Sequence, residues 1–168
     1  TGREDTMINF DMTNEQYHEH TNVLSASGTK TIAFDDLATF KYAERKESAA
    51  FDVGTATHTL VLQPELADTI WMGAADRRGL AWKKTKLEAE EAGALLLTEG
   101  DYLLAHDMAE AVRANKAAAE LLSGDLVCEA SVFAKHERTG IDIRCRPDGW
   151  RRDIGALIDL KTTITSDP

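Results

Sequence analysis

The chain has 168 residues, of which 43% are hydrophobic and 29% charged, a composition typical of a globular protein with its own core. Its 19 basic and 29 acidic residues give a net charge of −10, which does not favour a general DNA-binding surface, so any nucleic-acid function must rest on local clusters or a specific site. The two cysteines, Cys128 and Cys145, cannot form a zinc ribbon or a four-cysteine cluster and suit a reducing cytoplasm, and no apolar run is long enough to cross a membrane.

The first third of the sequence predicts helices. Residues 1–6 are polar, and we expect them to be disordered or an expression remnant. Residues 14–18 indicate a short helical turn, and Ser25 is a suitable N-cap for a helical pattern that continues to Tyr42. A further helix is expected over Ala49–Leu62, where Pro64 ends it.

The middle of the chain predicts a short strand around Ile70–Met72, then a basic loop or helix start over residues 77–86 that holds Trp82. Thr98 resembles the first residue of a capping box and opens a long amphipathic helix. We expect its inward residues to be Leu104, Met108, Ala111 and Val112, and Ser123-Gly124 to end it with a left-handed glycine.

After residue 125 the hydrophobic pattern becomes alternating, which predicts strands over residues 126–134, 141–146 and 154–162. Short turns between them favour antiparallel hairpins. The fold class is therefore α/β of an α+β-like kind, with helices followed by an antiparallel three-stranded meander, in a single domain over residues 1–168. Such a small meander looks unfinished, and we expect further elements to be missing at the C-terminal end.

The predicted strands carry a group of residues suited to metal chemistry. Asp148 follows the second strand, Asp159 and Lys161 lie two apart on the third, and Glu129 lies on the first. Crowded carboxylates need a hard cation such as Mg²⁺ or Mn²⁺, and a lysine beside it can position a water. The same D-x-K pattern also fits a solvated strand with a cross-strand ion pair.

Other candidate residues are equally open on spacing alone. His58 lies on an apolar helix face, where a histidine is more often a core residue than a metal ligand, although Gly54 one turn earlier indicates a closely packed neighbour. Two basic clusters could contact DNA phosphates or form solvated loops. Their candidate DNA-binding residues are Arg77, Arg78, Lys83, Lys84, Arg144 and Arg146.

These pieces together carry a resemblance to a known family. Residues 15–18 with 24–27, residues 54–65, Glu129-Ala130-Ser131, residues 145–148 and residues 159–163 occur in the order of corresponding motifs in RecE-type exodeoxyribonucleases. The chain is similar over about 150 residues to the C-terminal nuclease domain of RecE (exodeoxyribonuclease VIII) and its phage relatives. That domain is a PD-(D/E)xK, restriction-endonuclease-like core.

The resemblance implies a function and a site. His58, Asp148 and Asp159 would bind Mg²⁺, for which Mn²⁺ could substitute, Lys161 would position the attacking water, and Glu129 would be a ligand or substrate contact. The family digests the 5′ strand of linear duplex DNA from its end, leaving a 3′ single-stranded tail for recombination. It is similar to ring-forming homo-oligomers that work with a single-strand annealing protein, here in the cytoplasm of a bacterium or phage-infected cell.

Alternatives remain open on the sequence. RecE-type proteins continue after the D-x-K-T-T motif with a Gln-x-x-x-Tyr segment, which is not found here. The chain could therefore be a catalytically incomplete module that binds DNA or a partner. An endonuclease or repair nuclease of the same superfamily, or an acidic mimic of DNA, would also fit.

Overall fold

A computed structural model of the chain describes residues 6–43 and 49–163, which divide into two compact units. Unit 1 combines Thr1–Lys46 with Val127–Ile158, and unit 2 combines Glu47–Leu126 with Asp159–Pro168. Disorder was expected over residues 1–6, of which residues 1–5 lie outside the described residues. The single nuclease domain expected over residues 1–168 stays a prediction.

The N-terminal helices of unit 1 begin at capping side chains. Thr13 and Gln16 form a reciprocal capping box, and the Ser25 hydroxyl accepts a hydrogen bond from Gly28 N at 3.1 Å, as predicted. The helical pattern expected to continue to Tyr42 is interrupted, because the Asp36 carboxylate accepts from Thr39 N at 2.6 Å and starts a new helix. The elements are β1 Met7–Asn9, α1 Asn14–Glu19, β2 Leu24–Ser25, α2 Ala26–Phe34 and α3 Leu37–Tyr42.

The expected three-stranded meander is wrong in detail, because the chain forms two sheets here. The break lies at Glu129, which adopts a left-handed φ of 56° and separates two strands that the alternating pattern had joined. One sheet has the order β1-β6-β7-β2 and the other β5-β8-β9. The strands are β5 Leu126–Cys128, β6 Ser131–Lys135, β7 Asp142–Cys145, β8 Gly149–Arg151 and β9 Ala156–Ile158.

The antiparallel β6–β7 pairing confirms the first predicted hairpin, whereas the second, between residues 141–146 and 154–162, is wrong because β9 pairs with the unpredicted strand β8. β6 pairs with β7 from Val132↔Cys145 to Lys135↔Asp142, and β8 pairs with β9 from Gly149↔Ile158 to Arg151↔Ala156. At the edges of the larger sheet, β1 runs antiparallel to β6 and β2 runs parallel to β7. The chain therefore mixes helices and sheets, as the sequence predicts.

Unit 2 is built on the packing of α4 against α6. Ala56, Leu60, Leu97, Ala105 and Ala109 are all buried in its core. β3 and β4 form a parallel pair, and the predicted bounds of α4 agree with the structure. The elements are α4 Ala49–Leu62, a 3-10 helix Pro64–Thr69, β3 Ile70–Met72, α5 Leu80–Ala92, β4 Leu95–Leu97, α6 Glu99–Ala114 and α7 Lys116–Leu121.

The buried face of α6 differs from the predicted one. Leu104 is 50% exposed and Ala111 is also exposed, whereas Ala105 and Ala109 are buried. Small residues allow α4 to approach closely, so the large apolar side chains do not mark the inward face. The helix also ends earlier than expected, since the Asn115 side chain caps α7, although Gly124 has the predicted left-handed conformation with a φ of 78°.

Over the described part of the chain, no helix has both the length and the apolar character needed to span a membrane.

Candidate functional site

The candidate acids lie at the ends of the three strands in the β5-β8-β9 sheet. Glu129 directly follows β5, Asp148 directly precedes β8 and Asp159 directly follows β9. Gly149 pairs with Ile158 in the β8–β9 ladder. Asp148 immediately precedes the first of these residues in sequence, and Asp159 immediately follows the second. The expectation that Asp159 and Lys161 lie within a strand is wrong, because β9 ends at Ile158 and both residues belong to the segment that follows it.

Glu129 and Asp148 are joined through the main chain. Glu129 N donates to the Asp148 carbonyl oxygen at 3.2 Å. Glu129 holds a φ of 56°, a conformation that costs a non-glycine residue roughly 1–3 kcal/mol and needs support from its surroundings. The structure thus joins the main chains of two candidate residues, in an arrangement that the sequence pattern did not predict.

A buried arginine supports Glu129. Arg146 Nε lies 2.8 Å from Glu129 Oε2, and the Arg146 side chain is only 11% exposed. The same guanidinium donates to the main-chain oxygens of Met12 at 2.9 Å and Thr13 at 3.2 Å. Sequence reasoning missed this ion pair, for which the available signal was opposite charges on two neighbouring predicted strands.

Arg144 and Arg146 both contact Tyr17, one of the buried side chains of unit 1. Arg144 lies 4.5 Å and Arg146 5.4 Å from the centre of the Tyr17 ring, and Arg144 also donates to the Tyr17 carbonyl oxygen. Loss of solvation raises the pKa of the Tyr17 hydroxyl, although the nearby Arg144 charge acts in the opposite direction. Both predicted DNA-contacting arginines are therefore engaged inside unit 1.

In unit 2, Asp159 and Lys161 contact each other directly. Lys161 Nζ donates to Asp159 Oδ1 at 2.5 Å, while their side chains are 72% and 67% exposed, respectively. An exposed pair of this kind adds little to folding stability. Its exposure leaves both groups accessible to a substrate from solvent.

The segment that carries this pair approaches α4. A Cβ added at Gly54 would lie 3.3 Å from Thr162 Oγ1, which confirms the prediction that something packs closely against this helix face. His58 is half-buried one helical turn further along the same face. Its role as a metal ligand stays a prediction.

The predicted metal ligands are distributed over both units, with Asp148 in unit 1 and His58 and Asp159 in unit 2. Across residues 6–43 and 49–163, no group of three or more His, Cys, Asp or Glu side chains is arranged to hold a metal ion. In chemical type the donors do fit Mg²⁺ or Mn²⁺, because two are carboxylates and the Asp159 carboxylate is 67% exposed to solvent.

The predicted basic segment contains two kinds of residue. Arg77 is held within unit 2, at 3.3 Å from Asp101 and 3.6 Å from Asp52, and it covers the buried Trp82 ring.

Arg78 is 90% exposed beside Asp76, whose pKa it lowers through hydrogen bonding. Lys83 and Lys84 are exposed on α5, and Lys84 lies 3.8 Å from Glu88. Arg78 and these two lysines are thus the accessible cations among the predicted set.

Comparison with known proteins places the chain in a superfamily. Residues 30–168 match the model of a family described as "PDDEXK-like domain of unknown function (DUF3799)". The curated proteins contain no match to the sequence. The matched region includes His58, Glu129, Asp148, Asp159 and Lys161. The chain therefore belongs to this family of PDDEXK-like domains.

Proposed function

We propose that this protein is a metal-dependent deoxyribonuclease that digests linear double-stranded DNA in the 5′→3′ direction and leaves 3′ single-stranded tails for recombination. The observation that carries the nuclease proposal is membership of the PDDEXK-like family over a region that includes Asp148, Asp159 and Lys161. The exonuclease mode and its polarity rest on the resemblance of the motifs to RecE-type enzymes.

The proposed roles follow from the chemistry of the side chains. Asp148 and Asp159 supply carboxylate oxygens and His58 an imidazole nitrogen to Mg²⁺ or Mn²⁺. When bound, such an ion polarises the phosphodiester and lowers the pKa of a coordinated water.

Lys161 holds the attacking water and stabilises negative charge that develops on the phosphate oxygens. Its Nζ is already 2.5 Å from Asp159 Oδ1, so the ammonium is adjacent to a proposed ligand before any substrate binds. The pair's exposure, at 72% and 67%, supports this role because the phosphodiester must reach both groups from solvent.

DNA would be held by the exposed cations of unit 2. Arg78, Lys83 and Lys84 are accessible on or next to α5, whereas Arg77 is occupied by two carboxylates. With a net charge of −10, such local contacts have to overcome general repulsion from the phosphate backbone. A ring-forming homo-oligomer and a single-strand annealing partner belong to the same proposal.

The test of the nuclease function is Mg²⁺-dependent release of acid-soluble nucleotides from linear duplex DNA. The Asp159→Asn variant should lose at least about 100-fold in rate, because it removes a proposed metal-binding charge. Asp107→Asn, which changes an exposed acid on α6, is the matched control and should retain full activity. Undiminished cleavage by Asp159→Asn would refute the assigned site.

A further inference from the structure

We infer that Arg146 is a positioning residue, which fixes the Glu129 carboxylate so that Glu129 can support the metal binding proposed for Asp148, the residue that its main chain contacts. This inference rests on the proposed function, since it assigns Asp148 to a metal site. It gives Arg146 a role different from the DNA contact that the sequence suggested.

The Arg146 side chain is largely buried and is held by several contacts. Its guanidinium donates to the carbonyl oxygens of Met12 and Thr13, at 2.9 Å and 3.2 Å, where the chain enters α1. The Tyr17 ring lies against it, with 5.4 Å between the ring centre and the guanidinium carbon. A planar guanidinium held at several points loses little further freedom when it binds a carboxylate.

Glu129 needs such an anchor because of its backbone. It occupies a left-handed conformation, with a φ of 56°, immediately before the fully buried Ala130 and Ser131. Its amide donates to the Asp148 carbonyl at 3.2 Å, and one carboxylate oxygen lies 2.8 Å from Arg146 Nε. Two separate contacts therefore connect Glu129 with the 146–148 segment, one through the main chain and one through the side chain.

The exposures of the two partners argue against a DNA contact for Arg146. The Arg146 side chain is 11% exposed and the Glu129 side chain 32% exposed, so the carboxylate is the more accessible partner. A carboxylate can accept several hydrogen bonds or ligate a cation while one oxygen remains bound to arginine. By contrast Arg78, an accessible cation, is 90% exposed.

The direction in which the cation affinity changes when Arg146 is replaced distinguishes a positioning role from a purely electrostatic one. Removing a positive charge near an acidic site strengthens cation binding by Coulomb's law. Loss of positioning weakens cation binding, because the supported acid is released, and residues behind metal ligands typically contribute about 10- to 100-fold in affinity or activity. Arg146→Gln should therefore weaken metal binding despite the loss of a positive charge.

The experiment is a titration of Mn²⁺ alone, without DNA, into the whole chain, with free Mn²⁺ measured by electron paramagnetic resonance. We expect Arg146→Gln to lower the affinity about tenfold and Arg146→Lys to lower it less. In a Glu129→Gln background, Arg146→Gln should no longer weaken the affinity, because the supported group is already gone and only the loss of a positive charge remains. Lys135→Gln, which removes the cation of the Lys135–Asp142 pair in the same unit, is the control and should not weaken binding.

Several results would overturn the inference. An unchanged or increased Mn²⁺ affinity in Arg146→Gln would show that Arg146 positions nothing at the metal centre. Additive effects of the two substitutions would show that Arg146 does not act through Glu129. Absence of Mn²⁺ binding by the wild-type chain would also overturn it. If the wild type binds Mn²⁺ with the expected variant pattern but cleaves no DNA, the nuclease proposal fails and the positioning role stands.

Discussion

Lys161 is in contact with Asp159 yet largely exposed, so the pair adds little to folding stability. The Nζ–Oδ1 distance is 2.5 Å and the lysine side chain is 72% exposed. Lys135 and Asp142 form a pair of the same length with similar exposure, on the β6–β7 hairpin of unit 1. The two pairs therefore differ mainly in their position in the chain.

We predict that Lys161→Ala lowers the maximal rate of DNA cleavage by about 100- to 1,000-fold, the usual loss when one stabilising donor is removed from a reacting centre. Its unfolding midpoint in urea should stay close to that of the wild type, because exposed pairs contribute little to stability. Lys135→Ala should change neither quantity. Equal loss of activity in both variants would mean that the loss is not specific to the D-x-K motif.

The residue types of the candidate site could be predicted from sequence, but their surroundings could not. Asp148, Asp159 and Lys161 are recognisable through the resemblance of their motifs to RecE-type enzymes, because the D-x-K spacing alone also fits a solvated strand with an ion pair. The Arg146–Glu129 ion pair depends on the left-handed conformation of Glu129 and on anchoring by Met12 and Thr13, which are distant in sequence. The local sequence pattern around a residue does not predict contacts between residues that are distant in sequence.

Among the elements, α4 and β3 were predicted with their correct bounds, while the strands after residue 125 were not. A helix of 14 residues that ends before Pro64 has strong local signals. The alternating run over residues 126–134 instead crosses a break at Glu129, where β5 and β6 join different sheets. The two strands separate at the left-handed conformation of Glu129, which a hydrophobic pattern cannot predict.

Two separate glycine-to-alanine substitutions test the contact between α4 and the D-x-K segment. A Cβ added at Gly100 on α6 would have no neighbouring atom within 4 Å, so Gly100→Ala should raise the free energy of unfolding by up to about 1 kcal/mol through helix propensity. Gly54→Ala should gain less, because its Cβ would lie 3.3 Å from Thr162 Oγ1, and DNA cleavage should fall as the segment shifts. Chemical denaturation and cleavage rates measure both effects. An equal gain in stability with full activity in Gly54→Ala would contradict the contact.

The turn between β8 and β9 contains a second test, based on pH. Arg151, with a side chain 8% exposed, donates to both carboxylate oxygens of Asp153 at 2.8 Å and 2.7 Å. This hydrogen bonding is the main reason why the pKa of Asp153 lies below its usual value. Because the folded pKa is lowered, the stabilisation is complete above the unfolded pKa of about 3.9 and is lost as pH falls through the folded pKa.

Asp153→Asn should therefore be less stable than the wild type at pH 7, and the difference should disappear in strong acid. Urea unfolding at several pH values measures this trend. Asp76→Asn is the control, since Asp76 also pairs with an arginine. That partner, Arg78, is 90% exposed, so loss of this ion pair should change the free energy of unfolding less. A difference between Asp153→Asn and the wild type that did not change with pH would contradict the assigned ion pair.

For the whole molecule, the net charge of −10 means that the proposed DNA binding would depend on a few exposed cations. We predict that the Lys83→Gln/Lys84→Gln double variant raises the KM for DNA and lowers the slope of log affinity against log salt concentration by about two, one for each lost phosphate contact. Fluorescence anisotropy over a salt series measures the slope. Lys116→Gln, an exposed lysine at the start of α7, is the control, and an equal effect of that change would show only general electrostatics.

The most direct test of the proposed function compares linear with covalently closed duplex DNA, each incubated with the protein in Mg²⁺ and then in EDTA. The account predicts that linear DNA is degraded in Mg²⁺ alone, that closed circles survive, and that a label at the 5′ end is released before one at the 3′ end. Cutting of closed circles would contradict the exonuclease assignment and favour an endonuclease of the same superfamily. Degradation that persists in EDTA, or no degradation of either DNA, would contradict the proposal of a metal-dependent nuclease.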